Sequence, residues 1–178
     1  ESITVYHGVA NRYRTPLRIA RALGISKITL PHYISTSLNV DTANGFASDF
    51  GQIKHSHVLV MRLPKGVNAA YSPHHSDLEQ ELHLAPGHFR ITHSDKVTKN
   101  GRSITYHYGH YTPKNNINES LNEEFIDLET LHKAWKIHVK SLNKNLFPKG
   151  AAPTTKDHIM RIYRKYGGRI ASGAVIGA

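Results

Sequence analysis

Two glutamates, Glu79 and Glu81, stand two positions apart in the segment LEQELHLAPG of residues 78–87. On a β-strand, positions i and i+2 share a face, so Glu79, Glu81 and His83 would point the same way with the like charges about 7 Å apart. Such repulsion is tolerable where the pair meets positive charge. Cleavage of a glycosidic bond creates that charge, because a carboxylate can stabilise an oxocarbenium-like transition state.

Two carboxylates allow a division of labour if the sugar belongs to NAD. Nicotinamide is bound in NAD as a cationic pyridinium, so it departs neutral without a general acid, and one carboxylate suffices for the sugar cation. The second carboxylate is then free for the acceptor. If that acceptor is a guanidinium, a carboxylate can orient its planar fork and draw off its proton.

The elements that must position these residues are short strands and two helices. Thr15 as N-cap, Pro16 at the first helical position and Gly24 as the stop predict one helix. Asp41 predicts the cap of a second helix, which ends before Gly51. The predicted strands are residues 3–7, 32–38, 57–63, 67–70, 79–84, 88–92 and 103–111, with turns at 86–87 and 100–101.

The last third of the chain has a helical period. Between residues 121 and 142 apolar residues recur at intervals of three and four, with acidic residues first and lysines last, which complements the helix dipole. A basic helix is predicted at residues 156–166. The Gly- and Ala-rich residues 168–178 are interpreted as a flexible tail or as the edge of a longer protein.

Composition sets wide limits on function. The chain has 178 residues, a formal net charge of +10, fourteen histidines and no cysteine, which excludes disulfides and thiolate metal sites. No apolar run reaches the 18 residues of a membrane-spanning helix. The positive charge favours anionic partners, and the interleaved tyrosines of residues 106–111 are compatible with a nucleic-acid face.

Four segments in order resemble a known family. "VYHG" (5–8), "YISTSL" (33–38), "ANGFA" (43–47) and "EQELHLAPG" (79–87) are similar to the mono-ADP-ribosyltransferase toxins and effectors, whose motifs run Arg, Ser-Thr-Ser and Glu-x-Glu. The resemblance covers residues 3–98. It implies an α+β fold of two packed, mainly antiparallel sheets with an NAD cleft, extended by C-terminal helices.

The resemblance also assigns the catalytic roles. Glu81 would hold the nicotinamide ribose and stabilise its cation, Glu79 would position and activate the acceptor, and Ser35 would fix the rotamer of Glu81. A glutamate at the position of Glu79 goes with arginine acceptors in this family. The loop from Tyr71 to Leu78 would contact the target protein.

The cofactor-binding residues implied are His7, Gly8, Thr36, Ser37 and Phe46, with NAD as the substrate, and no metal is expected. His7 departs from the family pattern, which has arginine there. "YHG" is closer to the branch of diphtheria toxin and the poly-ADP-ribose polymerases, where the histidine contacts the nicotinamide ribose and the glycine backbone binds the carboxamide. Phe46 resembles the aromatic residue of the family that packs near nicotinamide. The arginine that replaces the missing one is left open among four residues: Arg12, Arg14, Arg18 and Arg21.

These features predict a catalytic domain at residues 1–112, a helical extension at 113–167 and a tail at 168–178. The expected activity is transfer of ADP-ribose from NAD to an arginine of a target protein, by a bacterial toxin, secreted effector or phage-injected enzyme that acts in a host cell. Three alternatives remain: an NAD glycohydrolase, a DNA- or RNA-targeted ADP-ribosyltransferase, and a non-catalytic basic nucleic-acid-binding module. The oligomeric state is left open.

Overall fold

A computed structural model describes residues 2–71, 80–114, 124–143 and 154–171, with side chains described as far as residue 166. Its helices are α1 (Asn11–Ala22), α2 (Val40–Ala47), α3 (Leu128–Asn143) and α4 (Thr155–Ala171). Its strands are β1 (Ile3–Gly8), β2 (Lys27–Leu30), β3 (Ile34–Ser37), β4 (His55–Leu63), β5 (Ala69–Tyr71), β6 (Glu81–Leu84), β7 (Gly87–Lys99), β8 (Arg102–Pro113) and β9 (Ile126–Asp127).

The nine strands form one continuous sheet in the order β5-β6-β3-β1-β4-β8-β7-β2-β9, and all neighbours pair antiparallel except β4 with β8 and β2 with β9. Residues 85–86 join β6 to β7, five places apart. A flat sheet would separate them by about 24 Å, whereas three residue steps span about 11 Å. The sheet must therefore fold back on itself, with a register shift between Ile91 and His93 in β7. The α+β class and the two packed, mainly antiparallel layers are confirmed.

The core lies between these layers and under three helices. Val5 and Met61 on β1 and β4 meet Phe89 on β7, and Leu17 and Leu131 from α1 and α3 close the same cluster. Ile159 and Tyr163 of α4 are buried in it too. The predicted helical extension is thus part of the main core. No helix of the described residues has the length and hydropathy needed to cross a bilayer.

Helix boundaries show where local signals mislead. The predicted start of α1 at Thr15 is wrong, because α1 begins at Asn11 and Pro16 lies buried inside it, where its ring contributes to the apolar stripe with Leu17. The stop is as predicted, since Gly24 has φ +69°. For α2 the cap is Asn39, whose side chain accepts a hydrogen bond from the backbone N–H of Asp41 at 2.9 Å.

The C-terminal boundaries shift as well. The helix predicted at residues 121–142 begins instead at Leu128, because Ile126 and Asp127 form β9 beside β2. Asp127 then caps α3 by accepting hydrogen bonds from the N–H and hydroxyl of Thr130. The basic helix α4 runs from Thr155 to Ala171, so the tail predicted to begin at residue 168 is helical over its first residues; residues 172–178 lie outside the described part.

Buried histidines occur in two pairs. His57 Nδ1 lies 3.0 Å from His107 Nε2 beneath β4 and β8, and His138 Nδ1 lies 2.6 Å from His158 Nδ1 between α3 and α4. Burial lowers the pKa of all four, to about 4 for His57 and about 3 for His107, where neighbouring positive charges add to the effect. The folded protein therefore holds these rings neutral.

We expect the free energy of unfolding to fall in acid for this reason. Above pH 6.5 the rings are neutral in both the folded and the unfolded chain. As the pH drops toward 4 the unfolded chain takes up protons that the folded chain cannot, at a cost of about 1.4 kcal/mol per pH unit for each histidine. Urea unfolding at pH 7, 6 and 5 measures the slope, and His107→Gln should flatten it while exposed His110→Gln should not. A wild-type profile that is flat over this range would contradict the account.

Candidate active site

The candidate site lies where β1 and β3 separate. The two strands share the single residue pair Tyr6 with Ser37, whereas β1 pairs with β4 along its whole length. Beyond that pair the strands diverge, and α2 lies over the gap. The resulting cleft has a volume of about 300 Å³ and is lined by side chains and backbone of β1, β3, α2 and β6, among them Tyr6, His7, Gly8, Ser35, Phe46 and Glu81.

Ser35 and Glu81 are joined directly. The Ser35 hydroxyl donates to Glu81 Oε1 across β3 and β6. His83 Nε2 lies 3.6 Å from the same carboxylate oxygen, on the same strand face. The hydroxyl holds one oxygen of the carboxylate in place, and this is the contact that the sequence predicted for the pair.

His7 connects the first strand to the third. Its Nδ1 lies 2.7 Å from the backbone oxygen of Ser35. A carbonyl oxygen only accepts, so Nδ1 carries the proton and donates. Burial lowers the pKa of His7 despite that bond, so the ring is neutral at pH 7. Its Nε2 therefore has a free lone pair, which can accept a hydrogen bond from a hydroxyl group.

Gly8 is required by the packing of α2. A Cβ at this position would lie 2.6 Å from the backbone oxygen of Ala43 and 2.7 Å from the backbone nitrogen of Ala47. Both atoms belong to the helix backbone, so they cannot move aside as a flexible side chain would. Gly8 thus lets α2 approach β1 and roof the cleft.

The other residues of the Ser-Thr-Ser motif fix the local backbone. The Thr36 hydroxyl is buried and donates to the backbone oxygen of Leu82 at 2.8 Å, which holds β6 in register beside β3. Ser37 Oγ accepts from the backbone N–H of Asn39 at 2.9 Å, at the start of α2. Both residues border the cleft. Their hydroxyl contacts position β6 and α2 around it.

Phe46 stands at the mouth of the cleft on α2. Its side chain is 55% exposed, so it is available to a bound planar group. Phe50 lies beside it with ring centroids 5.7 Å apart. The turn after α2 holds Asp49 and Phe50 at φ +48°, a conformation that bulky residues rarely adopt and that often marks functional loops.

The arginines of α1 have different surroundings. Arg14 Nη2 donates to the backbone oxygen of Ala47 at 2.6 Å and so braces the C-terminal end of α2. Arg12 lies with its guanidinium 4.7 Å from the ring centroid of Tyr13 and lines a second cavity of about 170 Å³. Arg18 and Arg21 lower the pKa of buried His57. These roles depend on tertiary contacts, which sequence patterns alone do not reveal.

The second cavity adjoins the cleft. His7, Ala10 and Ser35 line both, and its remaining walls come from α1, β2, the segment 31–34 and the start of α3. A ligand too large for the 300 Å³ cleft would therefore have further space next to it, beside His7 and Arg12.

Some predicted residues cannot be placed. Glu79 and most of the predicted target-contacting loop, residues 72–78, lie outside the described residues, while Tyr71 at the end of β5 is exposed. Among the residues that are described, no group of three or more histidine or acidic side chains could hold a metal ion. The sequence analysis did not select Tyr6, which lines the cleft, or Asn39, which caps α2. Two signals could have identified them: Tyr6 directly precedes His7, and asparagine is a strongly preferred N-cap residue.

Comparisons with known proteins found no matching family model and no matching curated protein. The chain is similar to solved structures of ADP-ribosyltransferase toxins. One is Plx2a from Paenibacillus larvae, with 19% identity, a TM-score of 0.43 and coverage of 63% of this chain and 62% of that one. Another is the Vis toxin from Vibrio splendidus, with 20% identity, a TM-score of 0.46 and coverage of 72% and 55%. The enzymatic component of the C2 toxin from Clostridium botulinum matches at 16% identity and a TM-score of 0.46, over 63% of this chain and 32% of that one. These matches therefore span about one third to three fifths of the solved chains.

Proposed function

We propose that this protein is a mono-ADP-ribosyltransferase that uses NAD as its substrate, and that it transfers ADP-ribose to an arginine of a target protein. The single observation that carries the proposal is the joined set of Ser35, Glu81 and His7 in one cleft. These residues lie on three strands and span 75 positions of the sequence, and the motif resemblance had selected all three. The proposal includes that this protein is a secreted or injected effector and that its target protein is in a host cell.

The chemistry follows from the geometry of the cleft. Glu81 presents a carboxylate held by Ser35, which stabilises positive charge on the nicotinamide ribose as the bond to nicotinamide breaks. Neutral His7 accepts a hydrogen bond at Nε2 from a ribose hydroxyl. Phe46 packs against the nicotinamide ring at the mouth, and the backbone of Gly8 faces the same space. Arg12, in the adjoining cavity, is the arginine we assign to the diphosphate.

Glu79 is assigned to the acceptor. It would orient the guanidinium of the target arginine and remove its proton, while the loop from Tyr71 to Leu78 contacts the target. The assignment rests on the Glu-x-Glu spacing and on the family resemblance.

Incubation with NAD labelled in the adenylate moiety tests the proposal. Three parallel reactions contain buffer alone, agmatine as a simple guanidine, or a host-cell lysate, and nicotinamide release is followed in each. We expect label on agmatine and on a protein band of the lysate. Free ADP-ribose as the sole product would identify an NAD glycohydrolase, and label that nuclease removes would identify a nucleic-acid acceptor. No turnover in any reaction would refute an enzymatic role.

Glu79→Gln separates the two carboxylates. We expect transfer to agmatine to fall at least 100-fold, because the amide cannot take the guanidinium proton, while hydrolysis of NAD persists within about tenfold of wild type. Glu129→Gln, a matched change on the exposed face of α3, should leave both rates unchanged. Equal loss of transfer and hydrolysis in Glu79→Gln would contradict the division of labour.

A further inference from the structure

A row of paired residues, three of them aromatic, crosses the face of the sheet that carries Glu81. The strand registers pair Glu81 with Ser37, Ser37 with Tyr6 and Tyr6 with Val60. The same row continues on the next two strands, from Val60 to Tyr108 and from Tyr108 to His93. Counted along the curved sheet, Tyr6 lies two strands from Glu81 and His93 lies five strands from it.

Three aromatic rings lie close together on β7 and β8. His93 and Tyr108 are parallel within 3°, with centroids 4.5 Å apart. Tyr106, two positions from Tyr108 on β8, has its centroid 6.5 Å from that of Tyr108, with the two rings tilted by 44°. Its hydroxyl donates to Asn44 of α2 at 2.9 Å, which fixes its orientation. The tyrosines are partly exposed and His93 is exposed, so ring surface is available to solvent.

Basic side chains border these rings. On the same face, Arg62 pairs with His110 and His110 with Arg90, at the end of the row away from α2. At the other end Lys99 pairs with Arg102 in the β7–β8 hairpin. All five side chains are exposed. Asp95, opposite Tyr106, is the acidic residue among them, so the surface as a whole is positive.

We propose that this face binds single-stranded nucleic acid, with bases stacked on Tyr106, Tyr108 and His93 and phosphates on the flanking basic residues. Aromatic rings on an open sheet that are bordered by cations match the two repeating features of a single strand, planar bases and one negative charge per nucleotide. Stacking and phosphate contacts need no 2'-hydroxyl, so RNA and DNA should bind alike. The site is independent of the proposed transferase activity, since it uses none of the residues that hold NAD.

Fluorescence anisotropy with a labelled 12-nucleotide mixed-sequence RNA, in the absence of NAD, tests the proposal. We expect dissociation constants within about threefold for the RNA and the DNA of the same sequence, and weaker binding of the duplex, whose bases are unavailable for stacking. The affinity should fall steeply as salt rises from 50 to 200 mM, and Arg62→Gln should reduce that slope by about one. A duplex that binds as tightly as the single strand would overturn the stacking model.

The double variant Tyr106→Leu/Tyr108→Leu isolates the rings. We expect it to lose at least tenfold in affinity, whereas Tyr108→Phe keeps the ring and should bind as wild type does. Tyr33→Ala removes an exposed tyrosine outside the row and serves as the matched control. Thermal unfolding checks that each variant is folded, and the comparison of duplex with single strand decides the matter if the double variant is not. No binding by wild type at 10 µM protein, or full affinity in a folded double variant, would refute the proposal.

Discussion

Replacing Glu81 with glutamine is expected to reduce NAD turnover by about 10²–10³-fold, the range typical for loss of one preorganised electrostatic contact to a transition state. Glutamine has the same shape and its amide oxygen can still accept from the Ser35 hydroxyl, so the cleft keeps its geometry. What is lost is the negative charge beside the developing ribose cation. Nicotinamide release under saturating NAD measures the effect, and NAD affinity should change much less than the turnover rate.

Two further variants show that the effect belongs to the charge. Ser35→Ala leaves the carboxylate but frees its rotamer, so an intermediate loss of about tenfold is expected. Glu124→Gln removes an exposed carboxylate that pairs with Arg164 at 3.1 Å and does not line the cleft, so it should not alter turnover. A Glu81→Gln enzyme with at least a third of wild-type activity would exclude Glu81 as the residue that stabilises the sugar.

Gly8→Ala is expected to cost about 1–3 kcal/mol of stability and at least tenfold in turnover. The added methyl group would lie 2.6 Å from the Ala43 backbone oxygen, so either β1 or α2 must shift. A shift of α2 moves Phe46 and widens the roof of the cleft. For a chain of this length the stability loss corresponds to a fall of about 3–10 °C in the midpoint of thermal unfolding.

Gly45→Ala is the matched control for this change. Gly45 lies in the same helix, and a methyl group there meets only the Phe50 ring at 3.6 Å, an ordinary contact. Because alanine is favoured over glycine inside a helix, this variant should be as stable as wild type or slightly more so. If Gly8→Ala unfolds at the wild-type temperature with normal turnover, the close approach of α2 to β1 is not required for the site.

Glu81 and Ser35 could be predicted as site residues from the sequence, because strand alternation and the order of the motifs both point to them. Alternation puts Glu81 and His83 on one face, and the structure pairs that face with Ser35 and Ser37. The contact between Ser35 and Glu81 joins residues 46 positions apart, and only the family resemblance pointed to it. Local pattern and resemblance together thus identified the centre of the candidate site.

Long-range features were beyond the reach of local signals. Pro16 reads as a helix start, yet burial of its ring in the core places it inside α1. Strand β2 has only four residues, and its pairing with β7 and β9 joins segments far apart in sequence. The role of Arg14 depends on where the end of α2 lies relative to α1, which is set by packing. The row from Glu81 to His93 crosses six strands and exists only in the assembled register.

A crystal structure of Glu81→Gln with NAD tests the central claim most directly, because the variant should bind the dinucleotide without consuming it. The account predicts the anomeric carbon of the nicotinamide ribose within about 4 Å of the residue 81 side chain, with a ribose hydroxyl on His7 Nε2 and the nicotinamide ring against Phe46. NAD bound elsewhere, or a cleft that stays empty at saturating NAD in solution, would contradict it.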